Sequence, residues 1–193
     1  MVSKKQVMNS REKILSAIRS LSLEPKTLPT IPNFSNSGNL VERFTQSISD
    51  NKGEVMTKSE FEAWFAAANF SKVISLSAQF AELATLSLPE DPHDLESLEV
   101  AILDGQFGVA ENGAIWLEDT QLGLRALPFA TEHLVIVLDR NLLENTMHQG
   151  YDKIAAAQSG FGLFLAGPSK TADIEQSLVI GAQGAKSLRV VLV

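Results

Sequence analysis

There is no cysteine among the 193 residues of this chain. That absence removes disulfides, thiolate nucleophiles, Cys-type zinc sites and Cys-ligated iron–sulfur clusters from the chemistry open to it. Aromatic residues are sparse at 7%, and only three histidines are present. No apolar run approaches the ~18–20 residues that span a membrane. Residues 1–6 are basic, but residues 10–19 are charged and amphipathic rather than an apolar core, so the start does not read as a signal peptide. A cytoplasmic protein is expected. Also missing are a Gly-x-Gly-x-x-Gly fingerprint, a Walker loop and a Gly-x-Ser-x-Gly elbow. Gly105, Gly108 and Gly113 are spaced wrongly for dinucleotide binding.

What remains is ordinary for a globular chain: 45% apolar and 20% charged residues. The length suits one medium domain that hides on the order of 70% of its unfolded surface. The formal net charge of −7 argues against broad nucleic-acid binding. Its distribution is uneven, +3 over residues 1–60 and −10 over residues 61–193.

Ile14, Leu15, Ile18 and Leu21 predict an amphipathic helix that Ser10 can cap. Residues 25–38 carry three prolines, Gly38 and several Ser and Asn, and read as a linker. The expected division is therefore an N-terminal helical arm and linker over 1–38 and an α/β domain over 39–193. A helix is expected over 40–49, a short strand over 54–56, and a helix from Thr57-Lys58-Ser59-Glu60, which fits a capping box, to about Asn69. Apolar, largely β-branched runs at 73–76, 98–103, 114–117, 134–138, 161–166 and 188–193 suit strands buried on both faces. Helices near 142–157 and 169–181 would supply crossovers. The fold class expected is α/β, a three-layer Rossmann-like sheet. Asn112-Gly113 signals a tight hairpin that would make the sheet mixed. Trp64 and Trp116 fall in apolar periodic segments and read as core.

Four groups of residues can carry chemistry. Gly167-Pro168-Ser169-Lys170-Thr171-Ala172-Asp173-Ile174-Glu175 follows an expected strand and opens an expected helix, where free amides and a partial positive charge bind anions. Ser169 or Thr171 can cap, and Asp173 and Glu175 suit the dipole. Lys170 does not, at ~0.3–1 kcal/mol when exposed. An anion beside Lys170 would explain it; so would a lysine simply pointing into solvent. Glu111, on the Asn112-Gly113 turn, is a candidate base or acyl nucleophile, or merely flanks the turn. His133 opens a strand and either faces a site or closes that strand. Arg125 either holds an anionic substrate or forms a surface ion pair. Glu144 and His148 lie one helical turn apart and read as a solvated pair, and His93 carries no signal.

Together these residues resemble a known family. The block from Gly167 to Glu175, followed by Leu178-Val179, Gly181 and Gly184, resembles the signature of the lactate-utilisation protein C (LUD-domain) family. Glu111-Asn112-Gly113 resembles its Ala-Glu-(Thr/Asn)-Gly turn. Leu127-Pro128, the strand beginning at His133 and the closing strand follow in the family's order. The resemblance covers residues 40–193 and is strongest after Val100. The chain departs from the family's Gly-x-His-Gly-Pro, reading Gly181-Ala182-Gln183-Gly184-Ala185; Gln183 cannot titrate near neutral pH.

The resemblance implies a fold related to the ribose-phosphate isomerase, glucosamine-phosphate deaminase and CoA-transferase superfamily. It also implies a part in oxidising L-lactate to pyruvate beside sister proteins that carry iron–sulfur clusters. A chain without cysteine fits the cluster-free component. It would bind a small carboxylate or phosphorylated ligand at the helix N-terminus after Gly167. Lys170 would pair with the anion, Ser169 and Thr171 would donate, and Glu111 or Asp173 would orient it or handle a proton. Asn112, Gly113, Arg125, His133, Pro168, Glu175 and Gln183 complete the candidate site. The alternative is a stand-alone acyl- or CoA-transferase-like or sugar-phosphate isomerase-like enzyme using Glu111. A third reading is a module that senses lactate or a related acid.

Overall fold

The computed structural model describes residues 9–21, 26–154, 160–172 and 178–193. It divides into two units, Met1–Asn33 and Phe34–Val193. In the first, α1 spans Ser10–Arg19. Its N-cap is Asn9, one residue before the expected Ser10, because the Asn9 side chain accepts from the Glu12 amide at 2.9 Å and Glu12 reaches back to the Asn9 amide at 3.1 Å. That reciprocal pair satisfies two orphan donors, which a cap at Ser10 would not. Ile14, Ile18 and Leu21 are 58–68% exposed.

The second unit starts inside the expected linker. Phe34 stacks on His148 at 5.4 Å, and Asn36 exchanges hydrogen bonds with the Asn145 side chain. The elements then follow in order: α2 (Leu40–Asp50), β1 (Glu54–Met56), α3 (Lys58–Ala68), β2 (Val73–Ser75), β3 (Leu98–Asp104), β4 (Phe107–Val109), β5 (Ala114–Glu118), α4 (Asp119–Leu122), β6 (Thr131–Leu138), β7 (Leu143–Glu144), α5 (Met147–Ile154), β8 (Gly162–Leu165), β9 (Lys170–Ala172), β10 (Leu178–Ile180) and β11 (Ser187–Leu192). Thr57 and Glu60 form the expected capping box on α3, and Asn69 closes that helix in the left-handed region.

A five-stranded sheet, all parallel in the order β1-β11-β6-β3-β2, forms the centre. Its strands alternate between two cores, as a period of two requires. Val135, Val137 and Val191 face Phe61 of α3 and Phe80. Leu134, Ile136, Leu138, Leu188 and Val190 face Phe44 and Ile48 of α2 and Ile115 and Leu117 of β5. The fold is thus the expected Rossmann-like three-layer α/β arrangement, with one outer layer partly built from strands.

The strands outside the central sheet correct three expectations. The Asn112-Gly113 turn does join two antiparallel strands, but β4 and β5 belong to a separate four-stranded sheet, β7-β4-β5-β8, so the central sheet is not mixed. Gly108 lets this sheet approach closely: a Cβ there would meet Leu138, Leu143 and Phe44 at 2.9 Å. The helix expected over 169–181 is replaced by the antiparallel pair β9–β10. Thr171, Val179 and Ile180 are β-branched, and their preference for extended backbone prevails there. The helix expected over 142–157 begins only at Met147, because Leu143–Glu144 pairs with β4.

Candidate functional site

Asn51, which follows α2, joins the two segments that stand out in the sequence. Its side-chain nitrogen donates to the Asn112 carbonyl at 2.8 Å and to the Ser47 carbonyl at 3.0 Å. Its carbonyl and its side-chain oxygen each accept from the Lys170 ammonium at 3.1 Å. Asn112 in turn accepts from the Ala114 amide at 3.0 Å, which fixes the turn. Gly167 passes directly under this junction at φ +79°, and a Cβ there would fall 2.3 Å from the Asn51 carbonyl oxygen. Only glycine meets both demands. Asn112, Gly113, Gly167 and Lys170 are therefore brought to one junction, although they lie far apart in the chain.

Gly167 also borders a cleft of about 290 Å³. Gly167, Pro168, Ser169, Gln183, Gly184 and Phe129 line it over a floor that includes Leu134 and Leu165. The Ser169 amide donates to the Ala185 carbonyl at 2.9 Å, and the Gly181 amide donates to the Ser169 carbonyl at 2.9 Å, which locks the two glycine-containing segments together. The polar side chains lining the cleft are Ser169 and Gln183, and none of its lining residues titrates near neutral pH. The cleft stands beside the residues that lead into β6 and β11, at the amino ends of those strands, rather than at the carboxyl ends where α/β sheets commonly bind ligands. A more open groove of about 510 Å³, which includes Lys58, Ser59 and Arg140, does lie at the carboxyl ends of β1 and β11. None of the sequence candidates lines it.

The remaining candidates are placed elsewhere. Glu111 accepts from the Met147 amide at 2.8 Å and so caps the start of α5. Arg125 makes a two-pronged pair with Asp119, at 2.9 and 2.6 Å, and lies over the Phe161 ring at 4.7 Å. Its hydrogen bonds hold the Asp119 carboxyl below the usual carboxylate range. The helix N-terminus expected to bind an anion after Gly167 is not there: Lys170 and Thr171 lie in β9, paired with Ile180 and Val179. Asp173 and Glu175 lie outside the described residues. Glu144 pairs with Lys153 at 2.5 Å. Among the described residues no group of three His, Asp or Glu is arranged to hold a metal.

His133 sits on the opposite face of the central sheet from Leu134 and hence from the cleft. Its ring lies 5.9 Å from Trp64 and 5.5 Å from Phe70, and its Nδ1 lies 2.8 Å from the Ser187 hydroxyl. Arg189 donates to the same hydroxyl at 2.7 Å and stacks over Trp64 at 4.0 Å. Burial, then the Arg189 cation, hold the His133 pKa below its ordinary value. The Arg189 Nε lies 3.4 Å from a Glu54 carboxyl oxygen without forming a hydrogen bond.

Sequence reasoning passed over Asn51 and Arg189. Asn51 looks like part of an ordinary helix C-terminus beside Gly53. Arg189 stands between Leu188 and Val190 in a closing strand, and a lone cation in an apolar strand was the one available signal.

A family model described as the LUD domain matches residues 87–193. Among solved structures, the crystal structure of a DUF162 family protein from Deinococcus radiodurans at 1.70 Å resolution superposes with a TM-score of 0.59. The two chains are 19% identical, and the match covers 79% of this chain and 95% of that one. At that identity the likeness concerns the fold. No curated protein matches the chain.

Proposed function

The chain belongs to the LUD-domain family, which is associated with lactate utilisation, and on that premise we propose that it is a cluster-free accessory component of a system that oxidises L-lactate to pyruvate. Its partners would be proteins that carry iron–sulfur clusters, since electrons cannot pass through Cys-ligated centres in a chain without cysteine. The observation that carries this reading over the transferase alternative is the engagement of Glu111. Its carboxylate accepts from the Met147 amide at the start of α5 at 2.8 Å, which supports a helix-capping role for it over that of an acyl nucleophile.

Within that role the cleft would take a small carboxylate. Its floor suits a short aliphatic chain, and Ser169 and Gln183 can hydrogen-bond a hydroxyl or a carboxyl group. Lys170 stands beside Gly167, its ammonium 3.1 Å from the position a Cβ would take and held by the two Asn51 oxygens. It lends that wall positive charge. A phosphorylated ligand suits the cleft less, because no guanidinium fork lines it.

The test is reconstitution. The chain alone, and the chain with cluster-bearing proteins encoded beside it, are assayed for lactate-dependent reduction of a dye. Turnover only in the assembled system supports the reading; turnover of an acyl-CoA by the chain alone replaces it with the transferase. A thermal-shift series with L-lactate, D-lactate, pyruvate and glycolate tests the cleft. A ligand at 100 times its dissociation constant adds ~2.7 kcal/mol, or roughly 5–10 °C for a chain of this size. Ser169→Ala and Gln183→Ala should each shrink that shift.

A further inference from the structure

α1 is a helix without a core. It is ten residues long, and none of them is buried. Isolated helices shorter than ~12–15 residues are marginal in water, and most helices in proteins are stabilised by packing an apolar face. The capping box of Asn9 and Glu12 supports one end only. Ile14 and Ile18, with Leu21 just past the helix end, form the i, i+4, i+7 stripe of a packing face, yet all three are exposed. A second surface is needed to cover that stripe.

The charges around the stripe say which surface. Residues 1–20 hold five basic residues, Lys4, Lys5, Arg11, Lys13 and Arg19, against the single acid Glu12. Glu12 is turned back onto the Asn9 amide at 3.1 Å. At ~100° per residue, Lys13 and Arg19 fall on opposite flanks of the stripe, roughly 110–130° from its middle. Long cationic side chains in such places lay their methylenes along an apolar layer and keep their charges at its polar border. Cations on both flanks of an aliphatic stripe match an anionic lipid surface, where acyl chains lie beneath negative headgroups. A protein groove is matched less well. Protein interfaces are anchored mostly by Trp, Tyr and Arg, and the first aromatic residue of this chain is Phe34. No helix among the described residues is long and apolar enough to cross a membrane, so α1 would lie on a bilayer rather than span it.

From this we infer that α1 is a docking helix for anionic membranes. Ile14, Ile18 and Leu21 sit among the acyl chains, and the cations sit among the headgroups. Residues 34–193 hold ten basic against twenty-one acidic residues, but that acidity does not oppose the docking. Exposed charges farther apart than a Debye length, ~8–10 Å, are largely screened. Residues 26–33 are exposed, lie outside helix and strand and include Pro29 and Pro32; extended, they reach ~25 Å. The inference rests on α1 and not on the lactate reading.

The experiment is flotation of the full chain with phosphatidylcholine vesicles, with and without about 30% phosphatidylserine. The wild type should float with the anionic vesicles and stay behind with the neutral ones, and about 0.5 M salt should weaken its binding. Ile18→Asp places a carboxylate in the stripe and should abolish flotation. Lys13→Gln and Arg19→Gln should each weaken binding about fivefold. Ser16→Gln, on the side away from the stripe, should float like the wild type. None of these positions belongs to the Phe34–Val193 unit, so each variant should keep the wild-type melting temperature. A wild type that floats with neither vesicle would overturn the inference and leave an acidic protein groove as the partner of α1. Equal flotation with both vesicles, or an Ile18→Asp variant that floats like the wild type, would overturn it as well.

Discussion

The two faces of the central sheet use different materials. Leu134 and His133 are neighbours in β6 yet belong to different regions. The face that receives His133 is aromatic: Phe61, Trp64, Phe65, Phe70 and Phe80 pack with ring centroids 4.8–6.4 Å apart. Arg189 closes that layer over Trp64. The face that receives Leu134 is mostly aliphatic, with Phe44 the aromatic exception among its fully buried residues, and glycines let a second sheet and a cleft come close to it. Large rings bury much area and fix helix α3 on one side. Glycines on the other side contribute little burial but allow backbone to approach backbone. The comparison predicts that substitutions on the aromatic face act mainly on stability, and those on the glycine face mainly on the site.

The largest effect is expected at Phe61. It is fully buried, with Phe80 edge-on at 4.8 Å. Phe61→Ala should cost about 3–5 kcal/mol, lowering the melting temperature by roughly 6–20 °C. The ligand response of whatever protein remains folded should be unchanged. A loss of the ligand response without a fall in melting temperature would break the division between faces.

Gly167→Ala is the counterpart on the other face. It forces a side chain into the left-handed region, onto the Asn51 carbonyl. The strain costs about 1–3 kcal/mol, smaller than the Phe61 loss. The displaced Asn51 should release Lys170 and the Asn112 turn together. The expected result is a modest melting shift with the small-acid response abolished. Asn51→Ala should reproduce the second effect without the backbone strain, which separates junction from glycine.

How much of this was legible follows from where each signal resides. Four of the five central strands, β2, β3, β6 and β11, announce themselves as apolar, largely β-branched runs, because a strand buried on both faces has little polar alternation to obscure it. The α3 capping box is legible because it is local: Thr57 and Glu60 are three residues apart and satisfy each other. The position of 169–181 after a strand suggests a helix, whereas Lys170–Ala172 and Leu178–Ile180 pair with each other as strands. The junction at Asn51 was invisible. Its hydrogen bonds reach 61 residues forward to Asn112 and 119 to Lys170, and no local pattern encodes such a contact. Gly167 and Gln183 were marked as candidates by their family-like setting. That they share a cleft follows from the Ser169–Ala185 bond, which only the fold supplies.

The aromatic face carries a pH signature that sharpens the comparison further. His133 is held below its ordinary pKa by burial first and by Arg189 second. The folded state then binds fewer protons there than the unfolded chain does. Stability from this site is complete above the ordinary histidine value of 6.5 and is lost as pH falls from there through the lower folded value. Arg189→Met removes the second cause and leaves the first. The His133 midpoint, followed by NMR, should move up toward the ordinary value without reaching it, and the acid loss should shrink. A midpoint that does not move would show that Arg189 does not set it. The stacking lost from Trp64 is worth about 0.5–2 kcal/mol in the opposite direction.

The smallest stability effect is expected at Glu111, where it decides the most about function. Glu111→Ala deletes the acceptor for the Met147 amide, at a cost on the order of 1 kcal/mol, or about 2–4 °C. Glu111→Gln keeps an oxygen that can accept that bond and gives up only the charge at a helix start, ~0.3–1 kcal/mol. If Glu111 serves the helix, the Gln variant should stay within about twofold of the wild type in lactate-dependent turnover by the assembled system. The Ala variant should follow its fold rather than any chemistry. An acyl nucleophile behaves in the opposite way. Glu111→Gln would then keep its melting temperature and lose its turnover, because an amide cannot form the acyl intermediate that a carboxylate can. The two variants compared on both axes separate a carboxylate that holds α5 from one that reacts.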